Sequence, residues 1–364
     1  MATTIVHVAD VHLETAFTEL RGGARRRAAL ADAFARAVDL ALERRADALT
    51  IGGDLYEAER AVPQTARFVF AQLARFGGPV LVAPGNHDPY SARALYARDD
   101  LPPNVHVFAE PAWGAYPLGD DVTVYGFGHA PAEPGRPFAR ARFERGGTRI
   151  ALVHGSDEDR CPPGKRATAP FTLAEIRASG AACALAGHYH NGAVVADGGV
   201  PRLAYPGSPE PIKFGERGEH GALVATIAHG RVALEPVPLA RTRLVDLDVG
   251  LADAASEYAV LAAVESALAD YGRDDYLRVR LRGTVAPSTR VNCELIADRC
   301  ADAVGALELI DETVSADYAA IAREPNVRGR AVADLLALAA EGHADAGAAL
   351  RYAVAAFDGA EVAP

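Results

Sequence analysis

Pro79-Val80-Leu81-Val82-Ala83-Pro84-Gly85-Asn86-His87-Asp88 is the stretch whose reading sets the fold. A short apolar run closed by Pro84-Gly85 reads as a buried parallel strand ending in a turn. Polar groups just past such a strand lie in the crevice at the sheet's carboxyl edge, where open α/β sheets bind ligands. An Asn amide oxygen can ligate a metal, and an imidazole can ligate a metal or move a proton. Taken alone, Gly85-Asn86-His87-Asp88 is equally an ordinary turn containing Asn, so the rest of the chain has to decide.

The pattern around this stretch is strand, helix, strand, helix, strand. Thr4–Ala9 is an apolar strand running into Asp10-Val11-His12. Residues 25–45 carry helical periodicity, with Leu30, Phe34, Val38 and Leu42 on one stripe. Ala48–Gly52 is a second strand ending at Gly53-Asp54-Leu55-Tyr56-Glu57, and residues 64–76 form a second helix. Such alternation predicts a parallel or mostly parallel sheet with right-handed crossovers. Further strands are expected at Val105–Phe108, Val122–Phe127, Arg149–Val153 and Cys183–Ala186, with a closing antiparallel sheet over residues 203–236. Character changes near residues 239–243. A small α+β unit follows, then a linker at Arg323–Gly329 and Ala/Leu-rich helices over 330–357. The expected division is 1–240, 241–322 and 323–364.

Half of the 364 residues are apolar, enough for a substantial core. The N-terminus enters a strand at once, no run is long enough to span a membrane, and the four cysteines form no CxxC pair. A cytoplasmic protein with reduced thiols and no structural zinc is expected. Net charge is −11. Residues 1–240 hold 25 Lys+Arg against 27 Asp+Glu, and residues 241–364 hold 12 against 21. A protein gripping nucleic acid by charge alone should be basic, so the C-terminal third is a poor phosphate-binding surface. Divalent cations in the first part would make its local field positive without altering this tally.

Residues able to ligate a metal recur at strand ends: Asp10 and His12, Asp54, Asn86 and His87, His154, then His188 and His190. Five of the eleven histidines fall there. A sheet converges its strand ends on one crevice, so these groups can meet. Neutral imidazole and carboxylate are the ligand types of Mn, Fe and Zn sites. Seven side chains, with Asp54 bridging, could hold two ions. His87 is then one histidine to spare beside a ligand, where a general acid would stand. Two such ions would lower the pKa of a bridging water, whose hydroxide attacks phosphorus in line.

Asp-x-His, Gly-Asp, Gly-Asn-His-Asp, an apolar run into His-Gly, and Gly-His-x-His, in this order, resemble the calcineurin-like metallophosphoesterase superfamily. The likeness covers residues 1–240. Tyr205-Pro206-Gly207-Ser208-Pro209 with Phe214-Gly215-Glu216 and Gly221-Ala222 is similar to the segment following Gly-His-x-His in bacterial SbcD-type and YhaO-like DNA repair exonucleases. The resemblance implies the α+β sandwich of that superfamily, with ligands at strand ends, a small capping domain and C-terminal helices. It implies two divalent ions, Mn²⁺ first and Fe, Zn or Mg as alternatives, and nuclease action on DNA ends or single strands. It also implies an SMC-like ATPase partner; a homodimer is a further option, and no membrane is involved. One ion would take Asp10, His12, Asp54 and His190, and the other Asp54, Asn86, His154 and His188. His87 matches the family's catalytic histidine.

Glu57 stands where many relatives have Asp or His, and it reads more readily as a solvated residue than as a partner of the site. Asp88 could orient His87 or stabilise its own turn. His7, His106, His129, His220, His229 and His343 read as structural or exposed. Arg136, Arg140, Arg142, Arg145 and Lys165-Arg166 lie on loops after site-bearing strands, either as solvated charge or as backbone contacts for nucleic acid. Arg278, Arg280 and Arg282 share one strand face, more simply a wet outer face than a DNA contact. Val332, Leu335, Leu336, Leu338 and Ala339 mark a docked helix. The competing functions are a small-nucleotide phosphodiesterase and a non-catalytic binding subunit of an ATPase complex.

Overall fold

The computed structural model describes residues 2–17, 23–130, 135–144, 147–254, 256–285, 289–314, 317–343 and 345–359. It divides into two compact units, Met1–Arg243 and Leu244–Pro364. In the first unit the elements are, in chain order, β1 (Thr3–Val8), α1 (Gly23–Glu43), β2 (Ala48–Ile51), α2 (Pro63–Phe76), β3 (Val80–Val82), β4 (Val105–Val107), β5 (Trp113–Leu118), β6 (Val122–Phe127), β7 (Thr148–His154), α3 (Leu173–Ser179), β8 (Cys183–Gly187), β9 (Ala193–Asp197), β10 (Val200–Tyr205), β11 (Gly221–Ala228) and β12 (Arg231–Pro238).

These strands make two six-stranded sheets, ordered β12-β11-β1-β2-β3-β4 and β5-β6-β7-β8-β10-β9. Strands β1 to β4 are parallel, as are β6, β7, β8 and β10; the antiparallel strands lie toward the edges. The segment expected as one closing sheet is divided. β11 and β12 extend the first sheet, whereas β10 lies parallel to β8 in the second. Alternation along each strand explains the layering. On β7, Ile150 and Leu152 join Ile5, Leu81 and Leu185 between the sheets, while Ala151 and Val153 face outward to Phe138, Phe143 and Ile176 of α3. The outer face of the first sheet packs against α1 and α2 through Leu49, Ile51, Phe34 and Leu73. The result is a two-sheet α/β sandwich with helices on its outer faces, the architecture that the resemblance implies.

One residue of the expected α1 stripe leaves it. Leu30, Phe34 and Val38 are fully buried, but Leu42 is 40% exposed. A strict four-residue spacing outruns the 3.6-residue turn and rotates off the buried face. Leu40 and Ala41 take the place of Leu42 in the core.

In the second unit β13 (Arg243–Ala254), α4 (Glu257–Leu268), β14 (Asp275–Val285), α5 (Cys293–Arg299) and β15 (Ala306–Val314) form a three-stranded sheet, ordered β13-β14-β15, with helices packed on it. Leu277, Val279 and Leu281 are buried. The alternate Arg278, Arg280 and Arg282 meet Asp246, Asp248, Glu308 and Glu312 on the flanking strands, at 2.7 Å for Arg278 Nε to Glu308. That face sets three guanidiniums among four carboxylates. It contributes little stability and leaves little positive potential for a phosphate backbone. Helices α6 (Tyr318–Ile321), α7 (Val327–Ala340) and α8 (Ala346–Phe357) follow, with Val332, Leu350 and Val354 packed on Tyr318 and Ile321. α7 starts inside the expected linker because Asn326 caps it, its Oδ1 accepting from Gly329 N at 2.8 Å. Among the described residues no helix is long and apolar enough to cross a membrane.

Phe34→Ala should lower the urea-unfolding stability of the full chain by about 3–5 kcal/mol. Leu42→Ala, four-residue spacing notwithstanding, should change it by less than about 1 kcal/mol.

Candidate metal centre

The strand ends of both sheets meet at one place. Asp10 and His12 follow β1, Asp54 follows β2, and Asn86 and His87 follow β3. His154 closes β7, and His188 and His190 follow β8. Glycines let the sheets touch there. A Cβ on Gly187 would collide with Gly52 O across the sheets, and within the first sheet one on Gly85 would collide with Asp54 Oδ1. Two polar links then cross between the sheets. His188 N donates to the Asp10 carboxylate at 3.0–3.1 Å, and His154 Nδ1 donates to Gly52 O at 2.8 Å.

The site-bearing turns are strained. Asp10, His12, Asp54 and His188 adopt φ of 54°, 51°, 52° and 116°. Such non-glycine conformations cost about 1–3 kcal/mol each and persist only when the surroundings over-determine them. Backbone bonds lace the turns together: Asp10 N to Gly53 O at 3.0 Å and His12 N to Asp54 O at 2.9 Å. The buried Asp88 carboxylate accepts from Gly85 N (2.6 Å), Asp54 N (2.9 Å), Leu55 N (2.8 Å) and Tyr96 Oη (2.6 Å). One side chain thereby fixes both the Gly-Asp turn and the Gly-Asn-His-Asp turn.

The donor set suits metal ions. Ligand atoms of Asp10, His12 and His190 lie within 4.8 Å of one another, as do those of Asp10, Asp54 and His154. Asn86 Oδ1 is 3.1 Å from His154 Nε2, and the His188 ring centroid is 5.3 Å from that of His154. In three of the candidate ligand histidines Nδ1 is bound to an acceptor: Glu57 for His12 (2.7 Å), Gly52 O for His154 (2.8 Å) and Glu216 for His190 (2.6 Å). That arrangement fixes the tautomer with Nε2 free to ligate, as metal-binding histidines require. His12 Nε2 is buried with no hydrogen-bond partner, which an ion would supply.

The field agrees with the donors. Burial disfavours an imidazolium at His154, but the Asp54 carboxylate outweighs it and lifts the pKa to about 9. Burial likewise opposes the Asp54 carboxylate, yet the neighbouring histidines, His154 first, hold its pKa well below the usual range. At His188 burial, and then the neighbouring His154, push the pKa down to about 3, so the pull on positive charge is centred on Asp54.

Of the two roles open to Asp88 its hydrogen bonds serve the turn, and Glu57, expected as a solvated residue, is a partner of the site. Asp88 does not orient His87; its hydrogen bonds go to the two turns and to Tyr96. Glu57 is the partner instead, with Oε1 on His12 Nδ1 and Oε2 on His87 Nδ1 at 2.9 Å. That bond raises the His87 pKa to about 9, against burial and with help from Asp54. Glu57 reads as solvated from sequence because its role depends on the first-strand loop lying alongside, through the Leu13–Tyr56 bridge. Glu216 is 26 residues from the histidine it holds, so nothing local marks it. His129, read as structural, donates Nε2–H to His154 O at 2.8 Å and so sits directly behind a site residue.

A cavity of about 710 Å³ opens over these groups. Beyond His12, Asp54, Asn86, His87, His188 and His190 it is lined by Arg160, Lys165, Arg166 and Lys213, four basic residues. Arg136 is elsewhere engaged, by Glu158 and Glu175 at 2.8–2.9 Å. Arg140 and Arg142 are exposed and do not line the cavity, and Arg145 lies outside the described residues.

Comparison with known proteins places this architecture. Over 366 residues the chain is 29% identical to the DNA double-strand break repair protein Mre11 of Aeropyrum pernix, covering 93% of this chain and 87% of that one. Among solved structures it is similar to a dimetal phosphatase from Danio rerio, at 13% identity with TM-score 0.43, covering 64% of this chain and 95% of that one. It is also similar to TT1561 of Thermus thermophilus, at 15% identity with TM-score 0.38, covering 57% of this chain and 90% of that one. The calcineurin-like phosphoesterase family model matches residues 3–192. With that match spanning more than half the chain, and the ends of β1, β2, β3, β7 and β8 delivering ligand-type residues to one centre, the protein belongs to the calcineurin-like phosphoesterase family, and it is a metal-dependent phosphoesterase.

Proposed function

We propose that this chain is a DNA nuclease of the SbcD-like kind, working with two divalent ions, Mn²⁺ first among them. The observation that carries the reading is the basic lining of the cavity. Arg160, Lys165, Arg166 and Lys213 surround the acidic and histidine-rich floor of a protein whose net charge is −11. Positive charge concentrated at a site in an acidic chain is what a phosphodiester backbone would require. The Aeropyrum pernix relative, a DNA double-strand break repair protein, supports the choice of DNA. A small-nucleotide enzyme would be favoured by a site narrowed by the 130–148 loop, and among the described residues that loop contributes nothing to the lining.

In this reading Asp10, His12, Asp54 and His190 hold one ion, and Asp54, Asn86, His154 and His188 hold the other. When bound, such ions clamp phosphate oxygens and make water acidic enough to be deprotonated near neutral pH. Asp54 would contribute to holding both ions, and its Oδ1 accepts from His87 N at 2.8 Å. His87 keeps Nδ1 on Glu57, leaving Nε2 to donate to the leaving oxygen or to the charge on the phosphate. Glu57 spaces His87 from His12, whose ring centroids are 4.8 Å apart. The basic side chains of the rim would hold the strand. A cytoplasmic setting, an SMC-like ATPase partner and a homodimer complete the proposal, and the division 1–240, 241–322 and 323–364 gives it nuclease, capping and tail segments.

Purified protein with Mn²⁺ should degrade linear DNA, and chelation should abolish this reversibly. His87→Ala should lose at least about 100-fold in rate while still binding metal. Intact DNA in all forms alongside hydrolysis of small phosphodiesters would refute the DNA assignment. Glu57→Gln and Asp88→Asn should separate two roles. The first should cost about 10- to 100-fold in activity or metal affinity with nearly unchanged stability. The second leaves buried N–H groups poorly matched and should lower unfolding stability by about 2 kcal/mol or more.

A further inference from the structure

His129 bonds to parts of the centre that come from different sheets. It follows β6, the neighbour of β7 in the second sheet, and is 2% exposed. Its ring donates Nε2–H to His154 O at 2.8 Å, at the carboxyl end of β7. The two rings meet edge to face, with centroids 5.5 Å apart. The His129 main chain bonds instead to the loop that follows β3 in the first sheet. His129 N donates to Pro84 O at 3.1 Å, and His129 O accepts from Tyr90 N at 2.8 Å. Pro84 and Tyr90 bracket Gly85-Asn86-His87-Asp88-Pro89, so one residue closes both ends of the loop that carries Asn86 and His87.

The other ties on this loop stay within the first sheet. Asp88 fastens it to the turn after β2, through Asp54 N and Leu55 N, and His87 O accepts from Ala58 N at 3.0 Å. His129 supplies the link to the second sheet. The segment that carries His129 is itself confined. A Cβ on Gly128 would strike Phe108 O, and Gly128 N donates to Glu110 O at 3.2 Å. Across the gap that His129 spans, Asn86 Oδ1 stands 3.1 Å from His154 Nε2. Among the described residues His129 has no hydrogen bond to Asp10, His12 or His190. Its bonds therefore favour one half of the centre. A residue that holds the backbone of a ligand fixes where the ligand atom lies, and such outer partners tune metal affinity.

We propose that His129 is a positioning residue for the ion assigned to Asp54, Asn86, His154 and His188, setting the separation of Asn86 from His154. This rests on the two-ion assignment above.

Titration of the metal-depleted full chain with Mn²⁺, read as bound ions per chain, tests it. Wild type should bind two ions. His129→Leu removes the ring N–H and should weaken one ion about 10- to 100-fold while leaving the other within about threefold. His129→Gln keeps a side-chain N–H and should recover most of that loss. His129→Asn, too short to reach His154 O, gives the same readout as the leucine variant should the latter not fold. Asn86→Ala should weaken the same ion, and combining it with His129→Leu should cost less than the two separate losses multiplied together, because both act on one ligand pair. Equal weakening of both ions in His129→Leu, full additivity with Asn86→Ala, or wild-type affinity for both ions would each overturn the role of His129 while two ions still bind to wild type. A wild type that holds a single ion at saturation would overturn the two-ion assignment, and this role with it.

Discussion

Contact between two sheets at their carboxyl edges is the constraint on which the rest of the molecule depends. At most positions the sheets are held apart by side chains such as Ile5, Leu152 and Leu185. At the site Gly52 and Gly187 bring backbone against backbone, and no Cβ fits. This close approach lets a carboxylate on one sheet accept from an amide on the other, and lets His154 reach the Gly52 carbonyl. Without it the histidines of β7 and β8 would be a side chain's length from Asp10 and Asp54. His7 adds a tie one layer deeper, bonded to Thr50 on its own sheet and to Ala186 O on the other.

The same constraint creates a cost that the second layer of residues offsets. Several buried ionisable groups share a small volume with strained backbone, a combination that is unfavourable unless each group is satisfied. Asp88 satisfies the turns and Glu57 and Glu216 satisfy the histidine Nδ1 atoms. The remaining imbalance is a negative field with ligand atoms directed into it and His12 Nε2 left without a partner. That imbalance is chemically useful, since it is met by a cation. The protein's acidity as a whole does not oppose an anionic substrate, because the basic side chains gather at the cavity rim and much of the excess negative charge lies after residue 240.

How much of this was legible depended on the range of the interaction. Strand-end residues announced themselves because an apolar run followed at once by Asp, Asn or His is a local pattern with one structural meaning. The metal-type groups at Asp10, His12, Asp54, Asn86, His154, His188 and His190 can therefore be gathered from the sequence. The α1 stripe was legible except at Leu42, where helical drift wins over the spacing. Which of their two possible roles Glu57 and Asp88 take was not legible. Both are carboxylates in or beside a motif, and only the packing of one turn on another decides which faces histidine and which faces backbone N–H.

By itself the sequence determined the periodicities, and hence the strands, helices and the identity of the groups at their ends, because these follow from neighbours along the chain. The tertiary structure alone decided that the strands divide into two sheets, with β10 leaving the segment that looked like a single closing sheet. It alone decided which carboxylate serves His87, and that Glu216 holds His190. Each of these rests on contacts between residues well separated along the chain, whose energies depend on relative placement in space and leave no periodic trace in the order of the amino acids.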